Sequence, residues 1–246
     1  MIITFQLGHK LAKADLTKPI DISLETKEKT GFKAWYSPAV TSNVIRGENF
    51  IGSVKEGGSV NFKEVMINPH ANMTHTESVG HISKEEVPVN GVLNRFHFIA
   101  QLISVKPTLM DGNLENPIQK GDLCILKSAI EDKINPTAEA IIIKTQPNLE
   151  ELKTKNYDGT NWPYLHPKTA AYIREKGIRH LLIDQPSVDK EFDDGMLLSH
   201  RAFWNYPSTL DQESTITEFI GVPGELKDGM YCLLYTSPSP RDPNRS

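Results

Sequence analysis

The sequence predicts an α+β fold, a single domain built on a mixed sheet with few helices. Three observations carry that expectation. Short β-branched or apolar runs recur along the chain, with turn residues between them. Only one segment has both ends of a helix written into it. Strands and helices also fail to alternate steadily, which argues against a doubly wound βαβ architecture.

In chain order, the expected extended segments are residues 20–24, 59–67, 97–105, 123–126, 140–145, 178–183 and 215–222. Turn signals at Gly57-Gly58, Asp111-Gly112, Asp158-Gly159 and Asp194-Gly195 fall between them. The clearest helix spans 167–176, with Pro167 suited to its first turn and Gly177 to the position just past its end. Residues 83–87 read as a short helical turn and 197–204 as a weaker helix. The Asp193-Asp194-Gly195 turn and the charged run 149–155 are expected at the solvent.

Of the 246 residues, 38% are hydrophobic and 24% charged, ordinary values for a chain that buries a core without disulfides. Cys124 and Cys232 are the only cysteines, which excludes a disulfide scaffold or a cysteine zinc ribbon. Cys124 sits in an apolar stretch and reads as a core residue. The net charge of −4, the pI near 6.1 and the lack of a basic run argue against nucleic acid as a partner. No apolar stretch approaches the ~20 residues that cross a bilayer. The N-terminus has no basic segment leading into a long apolar one. A cytoplasmic protein without a membrane partner is expected.

The last residues differ in character. The run Cys232–Asp242 reads CLLYTSPSPRD and is similar to the translation of a transposon-end adapter used in sequencing libraries. The expected domain is therefore residues 1–231, with 232–246 a non-native tail.

Candidate chemistry concentrates in one stretch. His70, His75 and His81 fall within twelve residues, together with Glu77. One histidine on a strand is ordinarily a hydrogen-bonded structural residue, but three beside a carboxylate are a ligand set for a divalent metal. On an extended segment the odd-numbered His75, Glu77 and His81 share one face. The even-numbered His70 leaves two readings open. A bulge or turn returns it to that face, which is favoured, or the site has lost one ligand. His9, His97, His166 and His180 lack such company and read as structural or surface residues. Ser187 and Asp189 are candidates to orient a ligand or simply to form a turn. Trp35, Tyr36, Trp162 and Trp204 are candidates for either a pocket wall or the core.

His75-x-Glu77-x-x-x-His81 resembles part of the H-x-G-T-H-x-D-x-P-x-H signature of the cyclase family, which includes bacterial kynurenine formamidases and isatin hydrolases. The segment from Gly177 through Asp184 and Ser187 to Asp189 is similar to that family's G-[VI]-x-x-[VIL]-x-[IL]-D-T-x-S-[VIL]-D. Asp15-Leu-Thr-Lys-Pro-Ile20 resembles the usual opening, and Glu218 stands where the family has its late glutamate. His200 stands in the place of a family metal-ligand histidine.

The resemblance implies a swivelling β/β/α-type fold and one or two divalent metals, Zn²⁺ or Mn²⁺. It implies hydrolysis of an amide, formamide or cyclic amide of a small molecule by a metal-activated water, in a homodimer or larger homo-oligomer. By position, His75 and Glu77 are first-metal ligands, with Glu77 placed to bridge. His81 is the general base or proton shuttle, and His200 and Glu218 hold a second metal. Four departures stand out. Ala71 occupies the place of the first histidine, with His70 one residue earlier. Met73 replaces glycine, Glu77 replaces aspartate, and Val79 replaces proline. The first two departures motivate a competing expectation, a non-catalytic relative that binds a small ligand. A metal-dependent lyase or cyclase is a third.

Overall fold

The structure, a computed structural model, describes residues 1–112, 117–145 and 149–235. Its centre is a six-stranded sheet in the order Gly229–Leu234, His97–Ser104, Ala140–Lys144, His180–Ile183, Thr215–Glu218, His75–Glu77. The four inner strands are parallel, and each outer strand runs antiparallel to its neighbour. Parallel strands covered on both faces read as nearly continuous apolar runs, and Ala140–Lys144 is buried at every position. Period-two alternation then sorts the side chains. Ile103, Ile141, Ile143, Leu181 and Ile183 join the core beneath two helices. Ala100, Leu102, Ala140, Ile142 and Leu182 join a second core on the opposite face.

The two helices are Pro167–Glu175 and Leu198–Trp204. Pro167 supplies a preset φ at the first helical position, and the ring nitrogen Nδ1 of His166 accepts the N–H of Lys168. Beyond Lys176, Gly177 turns left-handed at φ +80° and ends the helix where the sequence predicts. Ala170 and Ile173 of this helix, with Phe203 and Trp204 of the other, complete the core beneath them.

Several expectations shift. Residues 20–24 contribute only an isolated bridge, Ser23 to Ile220. The turn expected at 83–87 forms earlier, as a 3-10 turn at Val79–His81. The short helix Leu149–Leu152 is not simply a solvated charged face, because Leu152 packs in a third core with Phe32, Tyr157 and Phe219. The expected boundary at residue 231 falls inside a strand. Gly229–Leu234 continues through it, pairing Cys232 with Ile99, Leu233 with Phe98 and Leu234 with His97. Leu233 and Tyr235 are buried. Residues 236–246 of the expected tail lie outside the described residues. Among the described residues, no helix is long and apolar enough to cross a membrane.

His180 is buried in an inner strand, where its Nδ1 lies 2.9 Å from the Thr215 hydroxyl. Burial first, and the nearby Arg95 second, lower its pKa to about 4, against a weaker pull from Glu139. In the unfolded chain it titrates near 6.5, so unfolding takes up a proton only between pH 6.5 and 4. Stability therefore falls as pH falls through that window and is unaffected above it. Urea unfolding at several pH values should show the wild type losing about 2–3 kcal/mol more than His180→Gln between pH 7 and 4. Parallel curves for the two proteins would refute this.

Candidate metal centre

The site lies at one edge of the central sheet. Upstream, the Asn68 side chain caps a single helical turn, Pro69–Asn72, by accepting the N–H of His70. The Asn72 side chain in turn accepts the Asn68 N–H and donates to the Pro38 carbonyl. The chain then extends as His75–Glu77, with Glu218 opposite His75 and Ile216 opposite Glu77. Period two sets His75 and Glu77 on one face, and the antiparallel register adds Glu218 to that face. Parity alone does not deliver His81. The strand stops at Glu77, Ser78 caps the 3-10 turn that follows, and that turn carries His81 back over Glu77. His70 is likewise returned by a helical turn and not by a bulge. His200 arrives from the helix Leu198–Trp204.

These segments place all six sequence-predicted residues together. Glu77 Oε2 lies 3.5 Å from His70 Nδ1, 3.4 Å from His81 Nδ1 and 3.9 Å from His75 Nε2. His75 Nε2 is also 3.5 Å from Glu218 Oε2. Two groups of possible ligands result, His70–Glu77–His81 and His75–Glu77–Glu218, with Glu77 in both. His200 belongs to neither. Its Nε2 is 2.9 Å from Glu77 Oε1 and 3.7 Å from Glu218 Oε1, and its Nδ1 is 2.7 Å from Asp189 Oδ2. His200 thus stands between two carboxylates, one step away from the ligand position expected of it.

The electrostatics follow from burial. Glu77 and Glu218 are both buried, at 4% and 3% exposure. Burial pushes both carboxyls up. At Glu77 the hydrogen bond and charge of His200 outweigh burial, and the pKa falls below the ordinary value. At Glu218 the charge of Glu77 adds to burial and the pKa rises well above it, despite the N–H that Val188 donates. Burial lowers His75 to about 4 and lowers His81, both against the pull of Glu77. Burial also opposes charge on His200, but the hydrogen bonds and charges of Asp189 and Glu77 raise its pKa well above 6.5.

Two buried atoms at this centre have no hydrogen-bond partner, His75 Nε2 and Glu77 Oε2. The other ring nitrogen of His75, Nδ1, lies 3.0 Å from the Met73 carbonyl. That carbonyl can only accept, so Nδ1 carries the proton and Nε2 presents a lone pair. A lone pair and an unpaired carboxylate oxygen facing each other without a proton between them are costly unless a cation joins them. Two ligands each about 2.1 Å from a tetrahedral ion lie roughly 3.4 Å apart, close to the separations found. The donor set of imidazole and carboxylate therefore fits a divalent metal.

The sequence model of one family, described as "Putative cyclase", matches residues 14–190. The chain belongs to the cyclase family. No curated protein matches it. Among solved structures, this cyclase-family chain is similar to one described as a predicted metal-dependent hydrolase from Bacillus stearothermophilus. The identity is 14%, 86% of each chain is covered, and the TM-score is 0.56. A potential metal-dependent hydrolase with cyclase activity gives 14%, 86% of each chain and 0.55. Isatin hydrolase A from Labrenzia aggregata, bound to benzyl benzoate, gives 13%, 85% of this chain, 83% of that one and 0.52. These likenesses show the fold of the cyclase family.

Other residues find their places around the centre. Asp189 does orient a site residue, accepting the N–H groups of Ser199 and His200 as well as facing the His200 ring. Asp193 is not simply a solvated turn residue. It is buried, and its carboxylate accepts from the N–H groups of Gly195 and Leu197 at the entry to the His200 helix. An aspartate a few residues ahead of a helix start is a cap signal that the sequence does carry. Trp162 and Trp204 are core residues, Trp35 packs edge-on against Trp162, and Tyr36 is exposed. Phe219 carries no signal in the sequence pattern. It follows Glu218 directly, takes a left-handed φ of +56°, and its ring packs against Phe32, with His75 6.2 Å away.

Proposed function

We propose that this cyclase-family chain is a metal-dependent hydrolase that opens an amide, formamide or cyclic amide of a small molecule. The observation that carries the reading is the pair of buried, unpartnered lone pairs, His75 Nε2 and Glu77 Oε2, in a cluster of two carboxylates and four imidazoles. His75, Glu77 and Glu218 would hold one divalent cation, Zn²⁺ or Mn²⁺, and His70 and His81 flank the opposite side of Glu77. A bound divalent cation polarises a carbonyl oxygen and lowers the pKa of a water towards ~7.

The chain's own residues supply the rest. The Met73 carbonyl fixes the His75 tautomer, and the Val188 N–H fixes one oxygen of Glu218. Asp189 holds the His200 ring against Glu77. His70 and His81 are the exposed members of the group and mark the side from which a substrate enters. His81 is proposed as the proton carrier there, with its ring stacked on that of His70 at 4.6 Å.

Metal analysis by plasma mass spectrometry, on protein purified without chelator, tests the reading. One or two equivalents of Zn or Mn and turnover of aryl formamides or cyclic amides are expected. A folded protein that neither retains nor takes up either metal would refute it. His81→Gln separates the roles of that residue. Turnover should fall at least ~100-fold with metal content intact, in keeping with loss of a general acid–base group. Its 3.4 Å approach to Glu77 favours one alternative, a ligand role, and loss of metal in the variant would establish that instead.

A further inference from the structure

His81 is carried by a turn that leaves the sheet edge and doubles back over it. The strand stops at Glu77, and Ser78 caps the 3-10 turn Val79–His81. Within that turn the His81 N–H donates to the Ser78 carbonyl, and those of Ile82 and Ser83 donate to the Val79 carbonyl. Val79 is fully buried, and Ile82 and Val87 pack against the same core. Apolar side chains therefore tack the segment 79–87 down at both ends, while Lys84, Glu85 and Glu86 between them face solvent.

A single hydroxyl ties the two ends together. Ser78 is buried, and its Oγ accepts the Gly80 N–H and donates its only proton to the Val87 carbonyl, nine residues on. Gly80 belongs to the same clasp. A Cβ there would come within 2.7 Å of the Val87 carbonyl oxygen, so a side chain at 80 and the present approach of Val87 exclude each other.

Among the imidazoles of the centre, His81 depends most on its backbone. The Met73 carbonyl holds the His75 ring, and Asp189 holds the His200 ring. Among the described residues no hydrogen bond holds the His81 ring. It is 32% exposed, meets Glu77 Oε2 at 3.4 Å, and lies 4.6 and 5.5 Å from the rings of His70 and His200. Its place over Glu77 is thus the place its turn gives it. We propose that Ser78 is the positioning residue for His81, acting through the clasp it makes with Gly80 and Val87. The Ser78 hydroxyl is committed to backbone groups on both sides, so it acts through His81 and not on a substrate. Its consequence for turnover rests on His81 being the proton carrier proposed above; its consequence for the His81 ring does not. A proton carrier displaced by about 1 Å can cost a reaction roughly 100-fold.

Ser78→Ala, Gly80→Ala and Ser78→Thr in the full chain test this, with folding checked by circular dichroism. Ser78→Ala removes the hydroxyl, and Gly80→Ala opens the same clasp with the hydroxyl in place, so either folded variant suffices. The first readout is the ring signals of 13C-labelled histidine by NMR, with the His81 signal identified from His81→Gln. Both alanine variants should shift or broaden the His81 signal well beyond those of His75 and His200, and Ser78→Thr should restore it. An unmoved His81 signal would overturn the proposal, whatever reaction the protein catalyses. The second readout is turnover. Ser78→Ala should lower kcat about 10–100-fold with KM and metal content kept. In a His81→Gln background the same change should cost almost nothing further, because the two residues act as one unit. An equal loss in both backgrounds would overturn the proposal by making Ser78 a general structural residue. Failure of the hydrolase reading shows separately, as a wild type without metal or turnover, and the ring signals still decide the role of Ser78.

Discussion

Glu77→Gln is expected to empty the metal centre and abolish turnover while leaving a folded protein. Glu77 is the residue shared by both possible ligand groups, and its Oε2 is one of the two buried atoms of the centre without a hydrogen-bond partner. Glutamine has nearly the same volume and keeps an oxygen to face His200, so packing around position 77 changes little. What it removes is the charge that attracts a cation and one lone-pair donor, leaving in either orientation a neutral amide among histidines. Loss of groups that merely orient ligands weakens metal affinity about 10–100-fold, and loss of a shared ligand should exceed that. Metal content after dialysis, measured by plasma mass spectrometry, is the direct readout. A Glu77→Gln variant that retains the wild-type complement of metal would remove Glu77 from the ligand set.

Asp189→Ala should produce the largest loss of stability near the site. The carboxylate is buried and accepts from two backbone N–H groups, Ser199 and His200, while facing the Nδ1 of the His200 ring. Truncation strands all three groups in a dry environment and leaves the His200 ring with its carboxylate contacts on the Nε2 side alone. Breaking a buried pair in this way costs about 3–5 kcal/mol, which for a chain of this size corresponds to a melting temperature lower by roughly 6–20 °C. Asp189→Asn provides the discriminating control. Its carbonyl oxygen can still receive backbone donors, so most of the stability should return. Its amide cannot hold the His200 proton on Nδ1 with comparable strength, so the geometry of His200 against Glu77 should loosen and turnover should fall. If the Asn variant matched the wild type in turnover, the orienting role of Asp189 would fail.

Much of the sheet is legible in the sequence because its signals are local. The continuous apolar run at 140–145 and the Pro167 and Gly177 boundaries each state their structure within a few residues, whereas the strand expected over 215–222 ends at Glu218, where Phe219 turns left-handed. The site is legible in its membership and less so in its geometry. His75 and Glu77 share a face as strand periodicity requires. His70 and His81 do not reach Glu77 by periodicity at all. Each is placed by a single capped turn, through Asn68 and Ser78, and one turn changes direction in ways that alternation cannot describe. Of the bulge or turn expected between His70 and His75, a bulge follows only if the segment is a strand, whereas Asn68-Pro69 announces a helical start. His200 and Glu218 lie too far along the chain for spacing to locate, and Asp193 deceives because a buried cap and a solvated turn use the same residues.

The parallel arrangement of the central strands also sets the order in which the molecule can come together. Along the inner sheet, neighbouring rungs such as Ala100 with Ala140, Ala140 with His180 and His180 with Thr215 join positions about forty residues apart or slightly fewer, a chain closure of moderate entropy. The last rung on the site side is different. Ile216 meets Glu77 across about 140 positions, and the strand that does so is only three residues long. Contacts of such separation form slowly and late, after the shorter closures have built the template they dock on. The histidine cluster and Glu218 therefore face one another only in the finished sheet, and a nascent or partly folded chain offers no such site for a cation to occupy.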